Sequence, residues 1–151
     1  MKATALLKKQ HREVKALFGE AKKVAPGQRE RVLGEITQKL QAHMRIEEDI
    51  FYPAVKDLDT KKTEEIVPEA YEEHHVVKLV LAELPAVDLE DERFEAKVTV
   101  LSELIEHHVE EEETEMFKAA EKLGEKRLAE LGSEMANAVE SRQPAALKAA
   151  R

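Results

Sequence analysis

The chain has 151 residues, of which 42% are hydrophobic and 37% charged, with a formal net charge of −8 and no cysteine. This acidic balance argues against a nucleic-acid-binding surface, and the lack of cysteine excludes disulfides and thiolate metal sites. No apolar stretch approaches the ~20 residues of a membrane span, and lysines interrupt the short apolar stretch at the N-terminus, unlike a secretory signal. We therefore expect one cytoplasmic domain with neither a membrane nor a nucleic-acid partner.

Five segments in chain order carry the helical period of apolar residues. They run from about Thr4 to Val24, Gln28 to Tyr52, Thr63 to Leu84, Asp88 or Asp91 to Leu123, and Glu125 to Glu140. We expect Thr63 to cap the third helix and Asp88 or Asp91 the fourth, and Pro53 to end or kink the second.

The pattern predicts an all-α fold, an up-down-up-down four-helix bundle with an additional short C-terminal helix. Residues 1–123 would form the bundle. Residues 124–151 would form a helix, with a tail after Pro144, packed on or extending from the same domain.

The sequence also repeats itself. The segment from His11 to Phe18 matches that from His74 to Leu81, and the segment from His43 to Tyr52 matches that from His108 to Phe117. Each half therefore reads as one helical hairpin, and the two hairpins would pack with approximate two-fold symmetry.

Histidine and glutamate side chains in these repeats form a candidate metal site. A His-x-x-x-Glu spacing places both side chains on one helix face, one turn apart. They lie on apolar stripes, where a polar group without a partner is costly, and two divalent cations would satisfy them. Imidazole and carboxylate without thiolate suit iron, manganese or zinc, and a carboxylate can bridge two cations. The candidate ligands are His11, His43, Glu47, His74, His108 and Glu112.

Helical phase decides between the members of two histidine doublets. His74 is in register with the apolar stripe of its helix, whereas His75 faces a more polar side, and His107 points about 100° away from His108. Taken alone, a histidine on an apolar face is usually a hydrogen-bonded core residue. Tyr71 lies one turn before His74 and could reach the site, although packing or a hydrogen bond to a ligand is the commoner role.

The motifs LLKKQHREVKALF, LQAHMRIEEDIFYP, YEEHHVVKLVLAEL and LIEHHVEEEETEMF resemble those of the hemerythrin-like, or His-His-Glu cation-binding, family. The resemblance implies two non-haem iron ions, bridged by two carboxylates and an oxo or hydroxo group. One iron would take His11 and His43, the other His74 and His108, and Glu47 and Glu112 would bridge. The ligand would be a small diatomic molecule or peroxide, and a homo-oligomer or a separate signalling partner is possible.

Lys78 marks a departure from the oxygen-carrying hemerythrins, which have a histidine at this place. The site is then nearly symmetric and short of one nitrogen ligand, which leaves a position for Tyr71, another carboxylate, water or an exchangeable ligand. We expect Lys78 to point outward with its head near an acidic side chain. Exchangeable positions suit peroxide chemistry better than dioxygen storage.

Four functions therefore stay open. They are binding or sensing of a diatomic ligand or peroxide, decomposition of peroxide by a catalase-like enzyme, ferritin-like iron storage, and a metal-free interaction module. Ferritin-like sites use Glu-x-x-His motifs, and Glu72-x-x-His75, the one such spacing here, lies off the core stripe.

Overall fold

The computed structural model describes the backbone of residues 1–149 and the side chains of residues 1–141, and every regular element in that part is helical. The α-helices are α1 (Ala3–Ala21), α2 (Arg29–Ile46), α3 (Tyr52–Lys56), α4 (Lys61–Glu83), α5 (Glu92–Glu111), α6 (Phe117–Ala120) and α7 (Glu125–Ala149). Two π-helical segments, Glu47–Phe51 and Glu112–Met116, join α2 to α3 and α5 to α6. Residues 1–149 therefore form five helical rods. Among the described residues, no helix combines the length and apolar character that a membrane span requires.

The caps of α4 and α5 are formed by side chains that accept from the first helical N–H groups. Thr60 caps α4 in a reciprocal capping box with Thr63. The prediction of Thr63 as the cap was wrong, because Lys61 and Lys62 already belong to the helix and leave Thr63 in its first turn. Asp91 caps α5 by accepting from the Arg93 N–H, as one of the two sequence alternatives predicted.

Two helices extend further than the sequence predicted. The second rod does not end at Tyr52 but continues through α3 to Lys56, because Pro53 stands in the first turn of α3, where its missing N–H is not needed. The backbone of α7 stays helical past Pro144 to Ala149, in a stretch rich in alanine. The tail predicted after Pro144 is thus helical to Ala149, and Ala150 and Arg151 lie outside the described residues.

The two π-helical segments each begin at the glutamate of a His-x-x-x-Glu motif. The Tyr52 N–H donates to the Glu47 carbonyl, and the Phe117 N–H donates to the Glu112 carbonyl, which is a step of five residues. In an α-helix, a residue five positions on lies about 140° from its predecessor around the axis. A π turn closes most of this angle. Tyr52 and Phe117 are therefore turned toward the same side as the glutamates.

The interior consists of two apolar clusters with a polar layer between them. The α7 cluster includes Leu7, Phe51, Val67, Phe117, Leu128 and Met135. The hairpin cluster, beside the α1–α2 and α4–α5 turns, includes Val14, Phe18, Ile36, Leu40, Leu81 and Leu101. Along α1, for example, His11 falls between Leu7 of the first cluster and Val14 of the second. The candidate ligands thus lie in the polar layer midway along the helices, with one apolar cluster on either side of it.

Helix α7 covers one end of this interior. Its Leu128, Leu131 and Met135 are fully buried, and α7 packs against α1. Gly132 permits the close approach, since a Cβ there would overlap the Met1 carbonyl oxygen and lie 2.9 Å from the Ala3 nitrogen. A bare glycine is therefore required where α7 crosses the start of the chain.

Gly132→Ala should lower the free energy of unfolding by about 1–3 kcal/mol, because the added methyl group meets backbone atoms. Gly34→Ala is the matched control, since Gly34 is helical with nothing within 4 Å of its Cβ position, and it should stabilise the chain by up to about 1 kcal/mol. Denaturant unfolding of both variants measures the difference. Equal or higher stability of Gly132→Ala would contradict the close contact.

Candidate metal centre

The six candidate ligands lie together in the polar layer. Each is at most 6% exposed. Their side chains fall into two sets whose ligand-type atoms lie within 4.8 Å of one another, one of His11, His43, Glu47 and Glu112 and one of Glu47, His74 and His108. In each set the two histidines face each other, with the Nε2 atoms of His11 and His43 3.2 Å apart, as are those of His74 and His108. The structure thus brings together the residues that the repeat predicted.

The two glutamates connect the histidine pairs. Glu47 Oε1 lies 3.1 Å from Nε2 of both His43 and His74. Glu112 Oε1 lies 3.1 Å from Nε2 of His11, and its Oε2 lies 3.3 Å from Nε2 of His108. Each carboxylate therefore contacts two histidines, one from each pair.

Every histidine of the centre is oriented by a partner on its outer nitrogen. The four Nδ1 atoms lie 2.7–2.8 Å from Glu113 (His11), Gln10 (His43), Glu48 (His74) and Glu73 (His108). The three carboxylates and the Gln10 amide oxygen act as acceptors, so the Nδ1 atoms carry the donated proton. The four Nε2 atoms, which point inward, are left as the available metal donors.

The residues present fit a pair of metal ions. Two donors about 2.1 Å from one ion and at right angles lie about 3 Å apart, close to the observed separations of the Nε2 atoms. Without a cation, inward lone pairs of imidazoles and carboxylates would oppose one another in a buried layer. Glu47 Oε2 and Glu112 Oε1 are buried there without a hydrogen-bond partner. Cations between these atoms would satisfy all of them.

The crowding of buried charged groups in this layer also shifts their pKa values. Burial and the nearby charge of Glu112 raise the pKa of Glu47 well above its usual range. Burial acts the same way on Glu112, but its close contacts with Glu47, His108 and His11 outweigh burial and hold the pKa of Glu112 well below normal. Burial lowers the pKa of His74 to about 4, whereas hydrogen bonds to carboxylates overcome burial and raise that of His108 to about 10. The raised pKa values of Glu47 and His108 favour their protonated forms, which offset part of the negative charge in this layer.

Tyr52 is a further member of the centre that the sequence analysis did not identify. Its side chain is fully buried, and its hydroxyl donates to Glu112 Oε2 over 2.6 Å. The same oxygen lies 3.1 Å from His74 Nε2 and 3.2 Å from His108 Nε2. These are the separations seen among the other donors, so the phenol oxygen belongs to the set of His74 and His108. Burial, followed by the charges of Glu47 and Glu112, raises the pKa of Tyr52 well above its usual range.

The π turn is the reason that Tyr52 was missed. With α-helical phase, Tyr52 points away from Glu47, and the turn at Glu47–Phe51 brings it back. Its counterpart in the repeat is Phe117, which has no hydroxyl and stacks on the His11 ring at 6.0 Å. The internal repeat aligns Tyr52 with Phe117 and so shows that one half has a hydroxyl there and the other does not. The sequence did not show the π turn that directs Tyr52 to the centre.

Tyr71 and Lys78 lie outside the centre. The Tyr71 hydroxyl donates to the Glu48 carbonyl over 2.9 Å, and the Tyr71 ring packs edge-on against Tyr52. Lys78 is half-exposed, and its Nζ lies 2.9 Å from Oε2 of Glu48, the carboxylate that holds His74 Nδ1. The predicted outward pose of Lys78 beside an acidic side chain is confirmed. Tyr52, and not Tyr71, places a phenol oxygen within 3.2 Å of the inward Nε2 atoms of His74 and His108.

His75 and His107, the two doublet histidines that helical phase placed away from the centre, are at the surface. His75 is exposed, and His107 is 64% exposed in its side chain. His107 contacts Glu111 and Glu73. Neither histidine reaches the inward Nε2 atoms, in agreement with the helical phase.

Two cavities reach the centre from outside. One of about 350 Å³ is lined by His11, by apolar side chains and by Arg12, Lys15 and Lys22. The other, about 20 Å³, is lined by His108, by Glu112 and by acidic side chains of α4 and α5. The first set thus faces the larger opening and the second the smaller one.

Comparison with known proteins gives the family. The family model of the hemerythrin HHE cation binding domain matches residues 2–120. The crystal structure of a hemerythrin HHE cation binding domain-containing protein from Mycobacterium kansasii superimposes with a TM-score of 0.86, at 26% identity, over 98% of this chain and 91% of its own. A DNA nickase of Nostoc sp. strain PCC 7120 is 28% identical over 119 residues, which are 76% of this chain but 32% of the nickase.

The chain therefore spans about a third of the length of that nickase, but it matches the M. kansasii protein almost from end to end. The all-helical architecture is hemerythrin-like, and the clustered histidines and glutamates are the residue types of a cation-binding centre. Since the family match covers most of its length, the chain belongs to the hemerythrin HHE cation-binding domain family.

Proposed function

We propose that this chain is a non-haem di-iron protein that reacts with peroxide. The first ion would be held by His11 and His43, and the second by His74, His108 and Tyr52. Glu47 and Glu112 would bridge them. The observation that carries the proposal is that each buried carboxylate contacts one histidine of either pair.

The arrangement of helices that goes with this centre is part of the proposal. Four rods, α1, α2–α3, α4 and α5–α6, would form an up-down-up-down bundle over residues 1–123, with residues 124–151 as an added part of the same domain. The packing of α1 on α2 and of α4 on α5 supports two hairpins. The buried leucines of α7 support its place in the same core.

Iron is the metal that this donor set favours. Imidazole and carboxylate suit several divalent ions, but a phenol oxygen that becomes anionic on binding is a hard donor suited to ferric iron. Two bridging carboxylates and one phenolate also bring three negative charges to two ions. Charge of this sign stabilises the oxidised state over the reduced state.

The donors are unequal between the two ions. His11, His43 and one oxygen from each glutamate give the first ion four donors, and Tyr52 gives the second a fifth. Octahedral coordination takes six donors, so the first ion keeps more exchangeable positions. It also lies beside His11, which lines the larger cavity of about 350 Å³. A small molecule would therefore meet the first ion, and the earlier expectation of a nearly symmetric site does not apply.

Bound iron would supply one-electron redox chemistry and exchangeable positions for peroxide, dioxygen or nitric oxide. The protein contributes fixed imidazoles, because each Nδ1 is held by an acceptor, and a layer enclosed by the two apolar clusters except where the two cavities reach it. Because the anionic donors favour ferric iron, lasting storage of dioxygen at ferrous iron is disfavoured. Peroxide, which reacts with oxidised as well as reduced iron, is the substrate that this balance favours.

The nickase activity of the Nostoc relative is not part of this proposal. The aligned region is 32% of that protein, and the net charge of this chain is −8. A surface of this sign repels the phosphates that dominate DNA affinity.

Peroxide turnover tests the proposed function. The chain loaded with two irons should consume hydrogen peroxide and release dioxygen, as measured with an oxygen electrode, and the metal-free chain should not. A long-lived oxygenated adduct of the reduced chain that releases dioxygen under vacuum would contradict the proposal and favour an oxygen carrier.

Tyr52→Phe tests the fifth donor. The ferric protein should show a visible phenolate-to-iron absorption band, and Tyr52→Phe should lose it while keeping two irons, because the histidines and glutamates remain. Tyr71→Phe is the matched control, since its hydroxyl donates to the Glu48 carbonyl and not to a candidate ligand, and it should keep the band. Survival of the band in Tyr52→Phe would show that the phenol does not bind iron.

A further inference from the structure

A second group of metal-ligand side chains lies on the surface where α4 and α5 meet. His107 Nε2 is 3.1 Å from Oε1 of Glu111 and 3.7 Å from Oε2 of Glu73. Ligand-type atoms of the three residues lie within 4.8 Å of one another. One imidazole and two carboxylates form a donor set that borderline divalent cations such as Fe²⁺, Mn²⁺ and Co²⁺ accept.

Glu73 joins this surface group to the buried centre. Its Oε1 accepts from Nδ1 of His108 over 2.7 Å, and its Oε2 faces His107. A cation bound at the surface would thus lie one carboxylate away from a ligand of the second ion.

The small cavity of about 20 Å³ opens at the same place. Glu69, Glu73, Glu111 and Glu115 line its outer part, and His108 and Glu112 line its inner part. Its volume suits about one water molecule or one ion. Glu112 is buried, and its Oε1 has no hydrogen-bond partner. At the rim, Lys62 pairs with Glu115 and so offsets the charge of one of these four outer carboxylates.

The charge of this opening differs from that of the larger cavity beside His11. The larger cavity is lined by Arg12, Lys15 and Lys22, with Glu106 and Glu113 as its acidic members. A cleft lined by one sign of charge concentrates ions of the opposite sign and raises their rate of association. Cations would therefore be drawn to the α4–α5 opening and not to the larger one.

We propose that Glu73, His107 and Glu111 form a surface divalent-cation site through which ferrous iron enters the buried centre. The proposal rests on the proposed di-iron function. In this proposal His107 helps to capture iron at the surface, and His108 is the ligand in the buried centre. Loss of the surface site should slow loading without changing how much iron the centre finally holds.

The test compares the double variant His107→Ala/Glu111→Gln with the control His75→Ala/Glu110→Gln, which removes the same groups from exposed positions outside the cluster. Metal-free protein is mixed anaerobically with low-micromolar ferrous iron, quenched with a chelator at intervals, and assayed for retained iron. The test variant should load on the order of 10-fold more slowly than wild type, and the control should load at the wild-type rate. All three should reach the same final iron content.

Binding of Mn²⁺, followed by electron paramagnetic resonance, gives a second readout on chains already loaded with ferric iron. Wild type and control should bind one added Mn²⁺, and the test variant should not. Equal loading rates, retained Mn²⁺ in the test variant, or equal slowing in the control would each overturn the entry site. Failure of wild type to retain two irons would instead contradict the proposed function, and Mn²⁺ binding to the metal-free chains would still test the surface cluster.

Discussion

The centre depends on two carboxylates, Glu47 and Glu112, buried at mid-height between two apolar clusters. An ionised carboxylate in such a layer is costly unless its charge is compensated. The raised pKa values of Glu47 and His108 favour protonated forms that offset part of this charge, but two carboxylate oxygens have no hydrogen-bond partner. Four imidazoles held from outside by acceptors place their Nε2 atoms around the same space. The arrangement is therefore organised for cations, and protons complete it only in part.

A local change of helix type gives the centre its asymmetry. The chain is built from two similar hairpins, and each carries a π turn directly after its glutamate. The turn directs Tyr52 into one half and Phe117 into the other, so that the phenol oxygen reaches the pair of His74 and His108, while a plain ring stacks on His11. In the proposed di-iron centre, this one hydroxyl would separate a more fully ligated position from a more open one. In the proposed function, this difference, and not the exchange of histidine for Lys78 alone, would decide where a small molecule binds.

Much of this could be predicted from the sequence, because helical period and repeated spacing depend on local geometry. Placing His74 and His108, and not their neighbours, at the centre required only a rotation of about 100° per residue. The sequence analysis failed where this rule changes. The π turn altered the phase of Tyr52, and a nearly symmetric site was expected in its place. In the cluster of Glu73, His107 and Glu111, the i,i+4 spacing of His107 and Glu111 can be read from the sequence, but their contact with Glu73 depends on how α4 packs on α5.

Anomalous X-ray diffraction at the iron edge, from crystals of the iron-loaded chain, tests the central claim most directly. The account predicts two peaks in the polar layer, one against His11 and His43 and one against His74, His108 and the Tyr52 oxygen, with Glu47 and Glu112 contacting both. A single peak, or a second peak that the Tyr52 oxygen does not touch, would contradict the account.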